Sequence, residues 1–164
     1  MTMSETLPMA KPAAPVRSFK NHALQILAVD DDPLIRRLNA QALIRAGYRV
    51  AVAEDGAVAW NMMQLNHYDL LLTDNSMPKV TGMELVKMVR AAQLDLPVVM
   101  ATAAPPAQAL IDFPRLQPVA VLLKPYSPAE LVSTVRSILE ATRLRANATF
   151  ATVKFDRTPF RCGE

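Results

Sequence analysis

Short apolar runs alternate with amphipathic stretches along the middle of this chain, and most of the runs drive straight into a polar residue. Leu24 to Val29, Leu70 to Leu72, Val98 to Ala101 and Val119 to Leu123 are near-continuous apolar segments. That is the pattern of strands buried on both faces of a parallel sheet. Arg49 to Ala53 reads as a further strand, second in chain order. Between the strands the period changes. Pro33 to Ala46 repeats Leu34, Ile35, Leu38, Ala42 and Leu43 at roughly helical spacing, and Gly47 supplies the left-handed residue that stops it. After the turn Glu54-Asp55-Gly56 comes a helix bearing Ala57, Val58, Trp60, Met63 and Leu65, with Trp60 and the methionines as packing residues. Thr81 followed by Glu84 has the spacing of a capping box and predicts a third helix to about Ala92. Pro105, Pro106, Pro114 and Pro118 leave room only for a short or distorted fourth helix between about Pro106 and Phe113. Ser127-Pro128-Ala129-Glu130 opens a last helix through Leu131, Val132, Val135, Ile138 and Leu139. Strands alternating with helices imply right-handed crossovers and an α/β fold, a doubly wound five-stranded parallel sheet.

The two ends lack this regularity. Residues 1–22, with Pro8, Pro12 and Pro15 among alanines and small polar residues, read as a flexible leader. Beyond about Ala146 the periodicity fades, and residues 143–164 read as a basic tail, disordered or ordered by a partner, with Phe150, Phe155 and Phe160 at five-residue spacing. A chain of 164 residues with 51% hydrophobic content suits one domain, here residues 23–142, and the chain reads as a complete single-domain protein. Cys162 has no second cysteine to pair with, so nothing points to an oxidising compartment. No apolar span is long enough to cross a bilayer, and a cytoplasmic location is expected.

Charge narrows the function further. The formal net charge of +3 comes from the ends, with Lys11, Arg17 and Lys20 at one and five basic residues beyond Glu140 at the other; the middle is acidic. The predicted domain therefore lacks the basic face of a DNA binder, and the segment beyond the last helix is too short for a DNA-binding output domain. His67 has no Cys, Asp or Glu at ligand spacing and reads as a surface residue.

The chemistry is concentrated where the strands end. Asp30-Asp31-Asp32 comes after the first strand, and three adjacent carboxylates repel one another unless a cation or hydrogen-bond donors compensate. Asp32 suits an N-cap and Pro33 the first helical position, which leaves Asp30 and Asp31 without a structural purpose. Asp74 lies just past the third strand, Thr102 closes the fourth and Lys124 lies just past the fifth. In a parallel sheet these ends share one edge, where open α/β sheets place their ligand crevice. The set suits phosphoryl transfer onto a carboxylate. Asp30 and Asp31 would hold a hard divalent cation, Asp74 would be the nucleophile, Lys124 would neutralise phosphoryl charge and the Thr102 hydroxyl would bond a phosphoryl oxygen.

Through Ile26-Leu27-Ala28-Val29-Asp30-Asp31-Asp32-Pro33, Asp69-Leu70-Leu71-Leu72-Thr73-Asp74-Asn75-Ser76-Met77-Pro78, Val98-Val99-Met100-Ala101-Thr102-Ala103 and Leu122-Leu123-Lys124-Pro125-Tyr126, the chain resembles the receiver domain of bacterial two-component response regulators, with the single-domain chemotaxis response regulator as the type. The resemblance covers about Ala23 to Thr142. It implies a flavodoxin-like strand order 2-1-3-4-5, Mg²⁺ at Asp30, Asp31 and Asp74 with the backbone carbonyl of Ser76 completing the site, and phosphotransfer to Asp74 from a histidine kinase or histidine phosphotransfer protein. It also implies a signalling module rather than an enzyme, acting on a downstream protein target. Ala103 is the small residue the family places after the switch threonine, and Tyr126 stands where the family often has an aromatic residue, here with a packing role. Two departures stand out. The family's switch aromatic falls at Val121, which cannot rotate a ring, and the usual output face is the proline-rich stretch from Pro105 to Pro118. These departures motivate an alternative, a pseudo-receiver acting as a phosphorylation-independent interaction module. A phosphatase with an aspartate nucleophile would need a general acid soon after Asp74, and Ser76 is not one. A flavodoxin-like cofactor carrier would need a phosphate-cradling loop, which three aspartates oppose.

Overall fold

The strands form because β-branched and leucine side chains fill both faces of a sheet that helices cover on each side. A computed structural model describes residues 23–104 and 120–153. In it β1 (Gln25–Val29), β2 (Arg49–Ala53), β3 (Leu70–Thr73), β4 (Val98–Thr102) and β5 (Ala120–Leu123) make one sheet in the order β2-β1-β3-β4-β5. Every pairing is parallel, with Val29 opposite both Ala53 and Thr73, and Thr102 opposite Leu123. The strand ends that carry the acidic and basic residues therefore lie along one edge.

The described helices are α1 (Pro33–Arg45), α2 (Gly56–Leu65), α3 (Gly82–Ala91) and α4 (Pro128–Val153). The helix expected between Pro106 and Phe113 lies outside the described residues, so α4 is the last helix. Alternation along the strands divides the core in two. Leu27, Val29, Leu71 and Met100 pack with Leu85, Val86 and Val89 of α3, while Ile26, Ala28, Leu70, Leu72 and Val99 pack with Leu43 of α1 and Leu131 and Val135 of α4. Both capping boxes are present. Thr81 accepts from the Glu84 N–H at 3.2 Å while the Glu84 carboxylate takes the Thr81 N–H at 2.8 Å, and Ser127 and Glu130 exchange the same bonds at 3.2 and 2.7 Å.

Two expectations are corrected. Leu34 and Leu38, read as part of the face of the first helix that packs on the sheet, are 62% and 50% exposed. The sheet-facing stripe runs instead through Ile35, Asn39, Ala42 and Leu43, one helical step round the axis, with Asn39 and Leu43 buried. The last helix also continues past Ala146 to Val153, into the segment read as an irregular tail. Alanine, leucine and arginine from Ala141 to Ala146 are good helix formers, and propensity sustains the helix where amphipathic period no longer does. His67 is exposed, as expected.

Candidate functional site

Asp30 leaves the end of β1 with its N–H bonded to the Ala53 carbonyl at 3.3 Å and its side chain buried at 3% exposure. One carboxylate oxygen accepts from the Asp32 N–H at 3.0 Å and the other from Lys124 Nζ at 2.8 Å, across 94 positions of sequence. Asp32 is the N-cap of α1, accepting from the N–H groups of Leu34 at 2.7 Å and Ile35 at 3.2 Å. Of the three consecutive aspartates, one is thus spent on the helix and two remain for the crevice.

Asp74 leaves β3 with its N–H on the Val29 carbonyl at 3.0 Å. Its Oδ1 accepts from the Asn75 N–H at 2.6 Å, and its Oδ2 lies 3.2 Å from Lys124 Nζ. Lys124, held by its N–H to the Thr102 carbonyl at 3.0 Å, therefore bridges Asp30 and Asp74. Asp31 is exposed, and carboxylate oxygens of Asp30, Asp31 and Asp74 all lie within 4.8 Å of one another. One ammonium faces three carboxylates. Burial pushes the Asp30 carboxyl above its ordinary value, outweighing the hydrogen bond and charge of Lys124. Burial alone would lower Lys124, but its bonds to Asp30 and Asp74 win and raise it. An all-oxygen donor set with uncompensated negative charge fits a hard divalent cation.

Thr102 is fully buried at the end of β4, and its hydroxyl bonds within its own loop, 3.3 Å from the Ala104 carbonyl and 3.4 Å from the Ala104 N–H. Ser76 is exposed in the loop after Asp74, and Ala103 is exposed beside the crevice. Val121 is 37% exposed on β5. Asp30, Asp31, Asp74 and Lys124 are thus brought together, while the Thr102 hydroxyl is turned to its own backbone.

Three features of the site go beyond what the sequence pattern predicts. Arg36 donates from Nη1 to the carbonyl oxygens of Asp30 at 2.6 Å and Asp31 at 3.3 Å, clamping the acidic loop from the first turn of α1. A basic residue one turn after an acidic strand end was the available signal. Tyr126, expected only to pack, donates its hydroxyl to Asn39 Oδ1 at 3.1 Å and ties the segment after Lys124 to α1. Ile35, Leu38, Ala42, Tyr126 and Leu131 line an apolar groove of about 440 Å³ that opens beside Lys124.

A doubly wound parallel sheet with an acid cluster and a lysine at its carboxyl edge defines a flavodoxin-like α/β protein with an acidic crevice. Residues 26–136 match the model of the response regulator receiver domain, and the chain belongs to that family. A probable transcriptional regulator, ycf27, of Cyanophora paradoxa is 36% identical over 118 residues, covering 72% of this chain and 49% of that protein. The chain thus spans about half of that curated relative. The chemotaxis protein CheY4 of Vibrio cholerae superposes with a TM-score of 0.66 at 31% identity, over 71% of this chain and 98% of that one. The Thermotoga maritima response regulator TrrA, solved in complex with Mg²⁺ and BeF, superposes with a TM-score of 0.62 at 29% identity, over 70% of this chain and 97% of that one. Among the described residues, no helix is long and apolar enough to cross a membrane.

Proposed function

We propose that this chain accepts a phosphoryl group on Asp74 from a histidine kinase or histidine phosphotransfer protein and passes the signal on through protein contacts. The observation that carries this reading is the Lys124 ammonium held between Asp30 and Asp74 at 2.8 and 3.2 Å, with Asp31 completing the acid cluster. Asp30, Asp31, Asp74 and the Ser76 carbonyl are assigned to Mg²⁺, which when bound neutralises phosphoryl oxygens and the carboxylates around them.

The chain's own groups do the rest. Asp74 Oδ2 attacks phosphorus as the phosphorus–nitrogen bond of the donor phosphohistidine breaks, and the departing imidazole takes its proton from solvent. The Asn75 N–H holds Oδ1 while Lys124 lies against Oδ2, so the attacking oxygen keeps its orientation. Lys124 lies within reach of the charge that gathers on the transferred group. The Thr102 hydroxyl would give up its bond to Ala104 for a phosphoryl oxygen.

Intact-mass spectrometry after incubation with Mg²⁺ and acetyl phosphate tests the assignment. The wild-type chain should gain one phosphoryl group and Asp74→Asn none. A wild type without adduct or phosphatase-like turnover would favour the phosphorylation-independent interaction module, the reading that Val121 motivates.

A further inference from the structure

The segment joining Asp74 to α3 is drawn tight at both ends. A Cβ on Gly82 would stand 2.1 Å from the Asp74 carbonyl oxygen, so the start of α3 lies directly against the acceptor's backbone. Asn75 ties the two together, its carbonyl accepting from Gly82 at 3.2 Å and its side chain from the Met83 N–H at 3.2 Å. Between them, the Met77 side chain is buried in the core. The Val80 N–H then bonds the Pro78 carbonyl at 2.8 Å across Lys79, whose φ is +64°. A three-residue turn with positive φ at its centre is the rarer, strained hand of the γ-turn, and glycine is the residue that adopts such φ without penalty. A lysine held there needs surroundings that over-determine it.

Those surroundings are the turn between β2 and α2. Lys79 Nζ is 2.5 Å from Asp55 Oδ2. Asp55 is buried at 1% exposure and caps α2, its Oδ1 accepting from the Val58 N–H at 2.8 Å. The Gly56 N–H reaches the Val80 carbonyl at 3.3 Å, and a Cβ on Gly56 would sit 2.6 Å from that oxygen. Backbone thus meets backbone on one side of Lys79, and a buried carboxylate holds its side chain on the other. The cap of α2 needs only one oxygen of Asp55, and an ion pair whose ammonium is largely in water adds little stability. What the pair does fix is the course of the backbone between Ser76 and α3.

We propose that Asp55 and Lys79 form a latch that holds the Ser76 loop in its cation-binding shape, making both of them positioning residues for the divalent cation. This rests on the metal reading above. The test is isothermal titration of the full chain with Mg²⁺, with thermal unfolding measured alongside. Lys79→Gly removes the latch while accommodating the positive φ, and Asp55→Asn keeps an acceptor for Val58 but loses the charge. Each should bind Mg²⁺ roughly tenfold more weakly, the low end for a lost outer partner of a metal site. The double variant should lose no more than either single one, and Lys79→Arg should keep wild-type affinity. A pair that served stability alone would lower the unfolding midpoint and leave Mg²⁺ affinity unchanged, and that result would overturn the latch. If the wild type binds Mg²⁺, Asp31→Asn does not, and Lys79→Gly matches the wild type, only the latch falls. A wild type that takes up no Mg²⁺ overturns the metal reading and the latch with it.

Discussion

Burial and pairing pull two lysine-bound aspartates in opposite directions. Asp55 is held below its ordinary carboxyl value, first by the hydrogen bond from Lys79 and then by the Val58 N–H. Its contribution to stability is present above about pH 3.8 and lost as pH falls through the lowered value. Asp30 goes the other way, because its burial outweighs the bonds from Lys124. A carboxyl raised on folding favours the fold fully below its ordinary value of 3.8 and loses that contribution as pH rises through the raised one. Ionised Asp30 is therefore a cost to the metal-free protein at neutral pH. Asp30→Asn should raise the unfolding midpoint in EDTA by a few degrees at pH 7, a gap that closes toward pH 4, and should abolish stabilisation by Mg²⁺. Equal midpoints at pH 7 would show that Lys124 compensates the charge in full.

The acidic and basic residues of the crevice were legible because each stands at the end of an apolar run, and parallel topology carries such positions to one edge. Asn39 and Lys79 were not. A lone asparagine among helical residues reads as surface, and its partner Tyr126 lies 87 positions away. No glycine marked the positive φ at Lys79.

Among the elements, β3 and α3 hold Asp74 between them. Gly82→Ala would press a methyl group against the Asp74 carbonyl, which is backbone and cannot swing aside. The expected cost is about 1–3 kcal/mol in urea unfolding, with slower uptake of phosphate from acetyl phosphate as Asp74 shifts. A variant as stable and as fast as wild type would mean that α3 can slide along the sheet. The strands could be read because buried parallel strands are apolar at nearly every position, and the capping boxes because their chemistry is local. The first helix misled because two adjacent stripes are apolar. Leu34 and Leu38 fit the period as well as the sheet-facing stripe does, and only the sheet decides which one is covered.

At the scale of the molecule, those two leucines become informative. Leu34 and Leu38 stand exposed on α1, and Leu38 borders the apolar groove that reaches Lys124. On the proposed phosphotransfer to Asp74, a donor protein would have to seat itself over this edge, whereas acetyl phosphate would not. Leu38→Glu should therefore leave labelling by acetyl phosphate unchanged and slow transfer from a phosphorylated histidine donor by tenfold or more, as expected on losing about 1.4 kcal/mol of apolar contact. Equal slowing with both donors would place the effect on the crevice instead.

The last helix runs for 26 residues, about 39 Å. Among the described residues Leu139 is the last of its side chains buried in the core, and the helix backbone runs on for roughly 21 Å to Val153. Its base packs against the strands that lead to Thr102 and Lys124, which makes the domain a fulcrum and the turns beyond Leu139 a lever. A tilt of about 10° at the base would sweep the tip through roughly 4 Å, converting a displacement too small to alter the crevice's outline into one that a neighbouring molecule would feel.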